Sequence, residues 1–352
     1  MKIGILTFHE IYNPGAYLQT MGTVTMLREL GHEPVVIDYT PPAHRFSALS
    51  IFKNWRLWRH PRHIYELFGR NRAFEQARSR MPLSPKLLTH EAVQRLSLDA
   101  VLIGADIVWD YATSYLGQDP VYFGHHLQAD KKIAFAVSCG SIPADHAEPE
   151  FVRSGVAALD AIAVRDTNTQ AFVRRLGREP ALICDPAFHL NSCDWSLSVP
   201  QAEPYMLVYG PPRHISKSFQ EQARRYAQAN GLKLIAVCYR QHWVDSNDIC
   251  IGPEQWLAYV RHATCVLTST FHGTVFSLRE GRPVAAIRTE YLSYKTAAME
   301  QRLPIGDIFV EGGGTISEAL NARLDYPDLT RSTEQWRAEA KSFVLHALAE
   351  TT

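Results

Sequence analysis

The stretch at residues 267–277, LTSTFHGTVFS, carries the strongest chemical signal in the chain. A buried strand is predicted to end at Leu267, and a helix is predicted to begin near Gly273. The first amides of a helix have no intrahelical partners and lie at the positive end of its dipole, so they form an anion site beside His272. Three hydroxyl groups add donors, those of Ser269, Thr270 and Thr274. A helix-capping cluster next to an uninvolved histidine would give the same pattern.

Two sets of alternating strands and helices must position these residues. The first forty residues form one β-α-β unit, in which a loop at residues 9–15 precedes a helical pattern that stops at Gly31. In this loop, Pro14-Gly15 fits a type II turn with Gly15 at positive φ. Further apolar runs lie at residues 100–103, 133–137, 161–164, 181–183, 205–209, 234–238, 265–267 and 284–287. Continuous apolar strands that alternate with helices indicate parallel sheets covered on both faces.

The predicted fold class is therefore α/β, with two Rossmann-like doubly wound domains that face each other across a cleft. The N-terminal domain covers residues 1–190, and a linker rich in Pro, Ser and Trp covers 191–204. The C-terminal domain covers 205–325, and a closing helix covers 326–352. Ligands of open α/β sheets bind beyond the carboxyl ends of the strands, so we expect the functional residues in the loops at those ends.

The composition excludes several classes of protein. The 36 basic residues balance the 36 acidic ones, which gives no indication of a nucleic-acid partner. The six cysteines form no CxxC pair and are interpreted as reduced thiols of a cytoplasmic protein. No HExxH motif indicates a metal site, and no GxGxxG, Walker A or GxSxG motif indicates a dinucleotide, a P-loop or an α/β-hydrolase. No apolar run approaches the ~18 residues that a membrane span needs.

Residues 51–80 depart from the pattern. They contain eight Lys or Arg against two Glu, with Trp55 and Trp58 interleaved. One hypothesis is a helix that contacts the membrane surface or a lipid-linked acidic acceptor. The other is an excursion whose aromatic residues pack on the N-terminal domain while its charges meet water.

Six motifs, in order, resemble those of the polysaccharide pyruvyl transferase family over nearly the whole chain. They are Asn13-Pro14-Gly15-Ala16-Tyr17-Leu18-Gln19 after a Gly-Ile strand, Gly104-Ala105-Asp106 with Trp109, Ser138-Cys139-Gly140, Val164-Arg165-Asp166, Asp185-Pro186, and the stretch from Thr270 to Ser277. Three positions depart from the family pattern: Pro14 replaces Tyr, Ala105 replaces Ser, and Thr270 stands where one branch has a donor-binding Arg.

The resemblance implies a GT-B-like fold and the transfer of a pyruvyl group from phosphoenolpyruvate onto two hydroxyls of one sugar. The products are a cyclic ketal and phosphate, and the acceptor is a cell-surface polysaccharide or its lipid-linked precursor. Phosphoenolpyruvate is a co-substrate, so no cofactor is expected. No metal is needed either, because cationic side chains and a helix start can neutralise the leaving phosphate. The reaction would take place in the cytoplasm or at the inner face of the membrane.

The donor's carboxylate and phosphate need cations or aimed amides. Arg165 is the first candidate, followed by Arg288 and Lys295, although each could instead form an ion pair. The predicted donor site adds the helix start at Ser269, Thr270, Gly273 and Thr274.

His272 is the predicted general base for a sugar hydroxyl. Asp106 is the second catalytic candidate, on the acceptor side, and could equally cap the turn before Trp109. The predicted acceptor-binding residues are His9, Asn13, Gly15 and Gln19, of which Asn13 and Gln19 could simply close the first loop.

Two other functions remain open at this stage. A glycosyltransferase that uses a nucleotide sugar could have the same two-domain scaffold, because a fold does not fix function. A glycan-binding protein without catalytic activity is the third hypothesis.

Overall fold

The computed structural model describes residues 1–40, 61–113, 118–192, 195, 198, 199 and 203–349, with side chains from residue 64 onward in the second range. The N-terminal lobe contains a parallel sheet with the strand order β2-β1-β3-β4-β5-β6. Its strands are β1 (Lys2–Leu6), β2 (Glu33–Val36), β3 (Leu98–Ile103), β4 (Ala129–Val137), β5 (Ala161–Val164) and β6 (Ala181–Leu182).

The C-terminal lobe contains a second parallel sheet, ordered β12-β11-β10-β7-β8-β9. Its strands are β7 (Tyr205–Tyr209), β8 (Lys233–Val237), β9 (Ser246–Asp248), β10 (Cys265–Thr268), β11 (Val284–Ile287) and β12 (Phe309–Val310). The two parallel sheets confirm the predicted fold class. Strands β9 and β12 were not predicted. Strand β9 consists of three polar residues and β12 of two residues, so neither is long enough to show a hydrophobic period.

Helices connect these strands. They are α1 (Pro14–Glu29), α2 (Pro61–Arg78), α3 (His90–Gln94), α4 (Glu150–Ala157), α5 (Thr167–Arg175), α6 (Lys217–Ala229), α7 (Pro253–His262), α8 (Phe271–Arg279), α9 (Glu290–Arg302), α10 (Ile316–Leu320) and α11 (Tyr326–Ala349). The predicted division at residues 190, 204 and 325 stays a prediction, and parts of 191–204 lie outside the described residues.

Helix α1 forms the centre of the contact between the lobes. Asn13 is its N-cap and Pro14 its first residue, so the predicted type II turn is wrong and Gly15 is helical. An Asn cap followed by Pro starts a helix well, because Pro has no amide to leave unpaired. The helix is buried on most sides, and an ideal Cβ on Gly22 would lie 1.9 Å from the Pro186 carbonyl oxygen. Its close packing explains why the apolar residues of α1 are not confined to one face.

Helix α2 contacts both lobes. The Arg78 Nη2 lies 3.2 Å from Asp38 Oδ1 in the N-terminal lobe, and Glu66 forms an ion pair with Arg240 of the C-terminal lobe. Two basic side chains of the stretch at residues 51–80, Arg78 and Arg80, are therefore paired with carboxylates rather than only solvated. Residues 51–60 lie outside the described part, and contact of the stretch with a membrane or an acceptor stays a prediction.

Helix α11 returns from the C-terminal lobe to the N-terminal one. Its Trp336 packs against Phe188 with ring centroids 6.2 Å apart, and its Lys341 pairs with Glu29 at 2.7 Å. Among the described residues, no helix combines the length and the apolar character needed to cross a bilayer.

Candidate active site

His272 lies on the first turn of α8, at the carboxyl end of β10. The N-cap of α8 is Thr270, whose Oγ1 accepts a hydrogen bond from the Gly273 amide at 3.1 Å. The helix therefore begins at Phe271, two residues before the predicted start. Since β10 lies between β7 and β11 in the middle of its sheet, His272 stands near the centre of the carboxyl edge of the lobe.

The His272 ring is enclosed by both lobes and is 7% exposed. Its Nε2 lies 3.8 Å from Asp185 Oδ1, which is too long for a hydrogen bond, and this buried nitrogen has no hydrogen-bond partner among the described residues. On the other side, an ideal Cβ on Gly15 would lie 2.2 Å from the His272 Nδ1. The imidazole is thus held between the start of α1 and a carboxylate, with no space for a larger residue at position 15.

Arg165 joins two carboxylates beside this imidazole. It follows β5, and its Nη1 lies 2.5 Å from Asp185 Oδ2 while its Nη2 lies 2.9 Å from Asp106 Oδ1. Its guanidinium also lies 4.9 Å from the centroid of the Phe271 ring. The carboxyl ends of β3, β5 and β6 therefore bring these residues to one place at the contact with α8.

Lys295 reaches the same place from α9. Its Nζ lies 3.9 Å from Asp106 Oδ1 and 4.3 Å from the centroid of the Tyr291 ring. We call the set of Asp106, Arg165, Asp185, His272 and Lys295 the buried ionic group, since each member is less than a tenth exposed.

The charges of the buried ionic group stabilise one another. Burial acts to raise the pKa of Asp185 and of Asp106, but Arg165 and the neighbouring cations outweigh it and hold both pKa values below the usual range. Burial acts to lower the pKa of Arg165, but Asp185 and Asp106 raise it above its ordinary value. The two carboxylates and the guanidinium are therefore ionised at neutral pH.

The four predicted donor residues at the start of α8 are largely occupied within the protein. The Thr270 Oγ1 caps the helix, and the Thr274 Oγ1 donates to the Thr270 carbonyl oxygen at 3.0 Å. The Gly273 amide donates to that cap, and the Ser269 Oγ lies 3.4 Å from His214 Nδ1. Their role toward a donor stays a prediction.

The structure does not join Arg288 to the buried ionic group. Its Nη1 and Nη2 contact the carboxylate of Glu300 at 3.1 and 2.9 Å, and its Nε lies 3.4 Å from Glu311. The hydrogen bonds with Glu300 raise the pKa of Arg288 above its ordinary value. The two terminal nitrogens of its guanidinium are thus paired with Glu300, and a role of Arg288 toward a donor stays a prediction.

The predicted acceptor residues hold the first loop together. His9 places Nδ1 at 3.2 Å from the Thr7 carbonyl oxygen and Nε2 at 3.0 Å from Asp38 Oδ1. Asn13 accepts a hydrogen bond from the Gly15 amide at 2.9 Å. The fully buried Gln19 donates to the Thr7 hydroxyl at 3.2 Å. Of these residues Gly15 contacts the buried ionic group directly, and acceptor binding stays a prediction for all four.

Asp185 is the residue of this group to which the sequence assigned no role. Its Oδ1 accepts a hydrogen bond from the Ala187 amide at 2.8 Å, and its two oxygens face His272 and Arg165. The signal was present, because an Asp-Pro pair directly follows a short apolar strand. Its partners are distant in the sequence, so the pattern alone could not show what it contacts.

Fold and site together define a two-lobed α/β protein with a buried ionic group where the lobes meet. The sequence model of the family "Polysaccharide pyruvyl transferase" matches residues 13–291, and the chain belongs to this family. It is thus a transferase that moves a pyruvyl group onto polysaccharide. A search of curated proteins finds no match.

Solved structures support the fold alone. A Listeria monocytogenes protein assigned as a UDP-N-acetylglucosamine 2-epimerase aligns with a TM-score of 0.57 and 10% identity over 98% of this chain and 94% of that one. The UDP-GlcNAc 2-epimerase of Methanocaldococcus jannaschii aligns with a TM-score of 0.53 and 10% identity, over 97% of this chain and 100% of that one. Arabidopsis thaliana UGT89C1, solved with UDP-L-rhamnose, aligns with a TM-score of 0.52 and 9% identity over 99% of each chain. These proteins share the two-lobed GT-B-like architecture.

Proposed function

We propose that the pyruvyl donor is phosphoenolpyruvate and that the product is a cyclic ketal across two hydroxyls of one sugar. The acceptor is a cell-surface polysaccharide or its lipid-linked precursor, and neither a metal nor a cofactor takes part. The observation that carries this proposal is the position of His272, held between Gly15 and Asp185 where the two lobes meet. Arg165 and Lys295 place two cations at the same point.

The chemistry needs a base and an anion site at one place. The terminal carbon of the donor takes up a proton, and the resulting oxocarbenium-like carbon is attacked by a sugar hydroxyl. The bond to phosphate then breaks, and the second hydroxyl closes the ring. Of the two hydroxyl protons, one balances the proton taken up by carbon and the other leaves with phosphate. His272 accepts a hydroxyl proton, and the Asp185 carboxylate stabilises the imidazolium that forms.

Access to this site requires movement between the lobes. His272 is 7% exposed and Arg165 is 2% exposed, so neither can meet a donor in the described arrangement. Separation of α1 from the start of α8 would expose the His272 ring. Closure after binding would exclude water from the reactive carbon.

The alternative is transfer from a nucleotide sugar, which similar folds carry out. No contact among the described residues favours it, and the family match favours pyruvyl transfer. An incubation of the purified chain with a panel of free and lipid-linked glycosides separates the two by mass spectrometry. With phosphoenolpyruvate, we expect a mass gain of pyruvic acid minus water and an equal release of phosphate. Turnover of a nucleotide sugar without consumption of phosphoenolpyruvate would refute the proposal.

A further inference from the structure

The buried ionic group offers little free positive charge to a donor that carries a carboxylate and a phosphate. Its two basic side chains, Arg165 and Lys295, face the carboxylates of Asp106 and Asp185. Asp166, which caps α5 and adjoins Arg165, adds a third buried carboxylate. Arg288 is engaged by Glu300. A donor that carries both a carboxylate and a phosphate therefore requires further cations from the residues around this group.

Arg70 on α2 is one such cation. Among the described residues it makes no hydrogen bond or ion pair, and its Nε is buried without a partner. Its guanidinium carbon lies 5.7 Å from the centroid of the Tyr12 ring. Tyr12 belongs to the loop that leads to Gly15, which contacts His272. Arg70 is thus a partly buried arginine next to the loop that leads to the active site.

Arg213 is the second cation, and it belongs to the other lobe. It follows β7, has no carboxylate partner among the described residues, and its Nε donates to His214 Nε2 at 3.3 Å. Burial and then the charge of Arg213 lower the pKa of His214, which fits a neutral ring that accepts this bond. The other nitrogen of His214 lies 3.4 Å from the Ser269 Oγ, directly before the cap of α8. Arg213 is therefore linked to the turn that carries His272.

Tyr239 connects the two arginines. It follows β8, its ring packs 5.4 Å from that of Tyr209, and the charges of both Arg70 and Arg213 reach its hydroxyl. These charges act to lower the pKa of Tyr239, but burial raises it by more, so the pKa lies above its ordinary value. The charges of Arg70 and Arg213 thus both act on the same tyrosine.

We propose that Arg70 and Arg213 bind the carboxylate and phosphate of the donor, Arg70 beside the loop that leads to Gly15 and Arg213 beside the turn that leads to His272. This inference rests on the proposed function and assigns residues that the sequence motifs do not include. An anion that contacts both arginines joins the lobes, so binding of the donor also favours closure around His272. The planar fork of arginine suits both oxyanions.

The test is the dissociation constant of phosphoenolpyruvate, measured by calorimetry on the full chain and on four variants. Arg70→Gln and Arg213→Gln each remove one proposed contact. Arg72→Gln and Arg225→Gln are matched controls, because they remove exposed arginines from α2 and α6. We expect the dissociation constant to rise about 10- to 100-fold in each of the first two variants, as for a lost hydrogen bond to a charged group. The controls should remain within about twofold of the wild-type value.

A further variant separates charge from geometry. Arg70→Lys keeps the charge without the fork, so its dissociation constant should fall between those of the wild type and Arg70→Gln. Wild-type affinity in both Arg70→Gln and Arg213→Gln would overturn this inference and leave the proposed function standing. Absence of phosphoenolpyruvate binding by the wild type, together with binding of a nucleotide sugar, would overturn both.

Discussion

Gly15→Ala is the smallest change that tests whether His272 must occupy its observed position. An ideal Cβ at this glycine lies 2.2 Å from His272 Nδ1, 2.3 Å from its Cγ and 2.6 Å from its Cβ. All three atoms belong to one ring and its attachment, so rotation of the ring alone cannot relieve the contact. The imidazole or the start of α1 must therefore move.

The size of the effect follows from this distance. An ordinary contact needs at least 3.4 Å, so the ring must move by about 1 Å. A misplacement of about 1 Å in a catalytic group costs about 10²-fold in rate. Overpacking of this kind destabilises by about 1–3 kcal/mol, partly offset by the higher helix propensity of alanine, about 1 kcal/mol in a helix interior. We expect a large loss of activity with a small loss of stability.

The assay is the release of phosphate from phosphoenolpyruvate in the presence of an acceptor, with thermal unfolding measured in parallel. Gly306→Ala is the inert control, because a Cβ there meets nothing within 4 Å. Gly22→Ala is the stability control. Its Cβ would lie 1.9 Å from the Pro186 carbonyl oxygen, and Gly22 follows Gly15, which contacts the imidazole, further along α1. A kcat of Gly15→Ala within about threefold of the wild-type value would refute the reasoning.

Three further predictions test the surroundings of His272. Arg165→Met leaves two buried carboxylates without their cation and should destabilise the protein by about 3–5 kcal/mol; an unchanged thermal midpoint would contradict this. Asp185→Asn removes the carboxylate beside His272 and should lower kcat about 10²–10⁴-fold while KM for the donor stays within a few fold, as steady-state kinetics would show. Burial and, second, the charge of Arg337 lower the pKa of His189 from 6.5 to about 3. Between these two pH values the unfolded chain binds a proton that the folded chain does not, so the free energy of unfolding falls as the pH falls. Denaturant unfolding of His189→Asn should lack about 2 kcal/mol of the wild-type loss between pH 8 and 5, whereas His242→Gln, at an exposed position, should retain it.

The fold could be predicted from the sequence because its strands are buried on both faces. Runs such as residues 161–164 and 205–209 are apolar throughout, and the structure places β5 and β7 at those positions. Helix boundaries were less accurate. The start of α8 was predicted late because Thr270 serves as its cap, and the start of α1 was mistaken for a turn because Asn-Pro-Gly suits both structures.

The contacts within the site were not predictable in the same way. Arg165 reaches Asp106, 59 residues away, and Asp185, 20 residues away, because β3, β5 and β6 end at one edge of the sheet. Arg288 and Arg165 are both arginines that directly follow a strand. Arg288 is nevertheless paired with Glu300 on α9. Which arginine meets an anion depends on tertiary neighbours that no local pattern contains.

The most direct test of the central claim follows the methyl group of the product. The chain is incubated in D₂O with phosphoenolpyruvate and an accepting glycoside, and the ketal is examined by mass spectrometry and proton NMR. If phosphoenolpyruvate is the donor, its terminal carbon takes up one proton from solvent and the ketal methyl carries one deuterium, and His272→Gln forms this product at least about 10²-fold more slowly. A ketal without deuterium, or an undiminished rate in His272→Gln, would contradict the account.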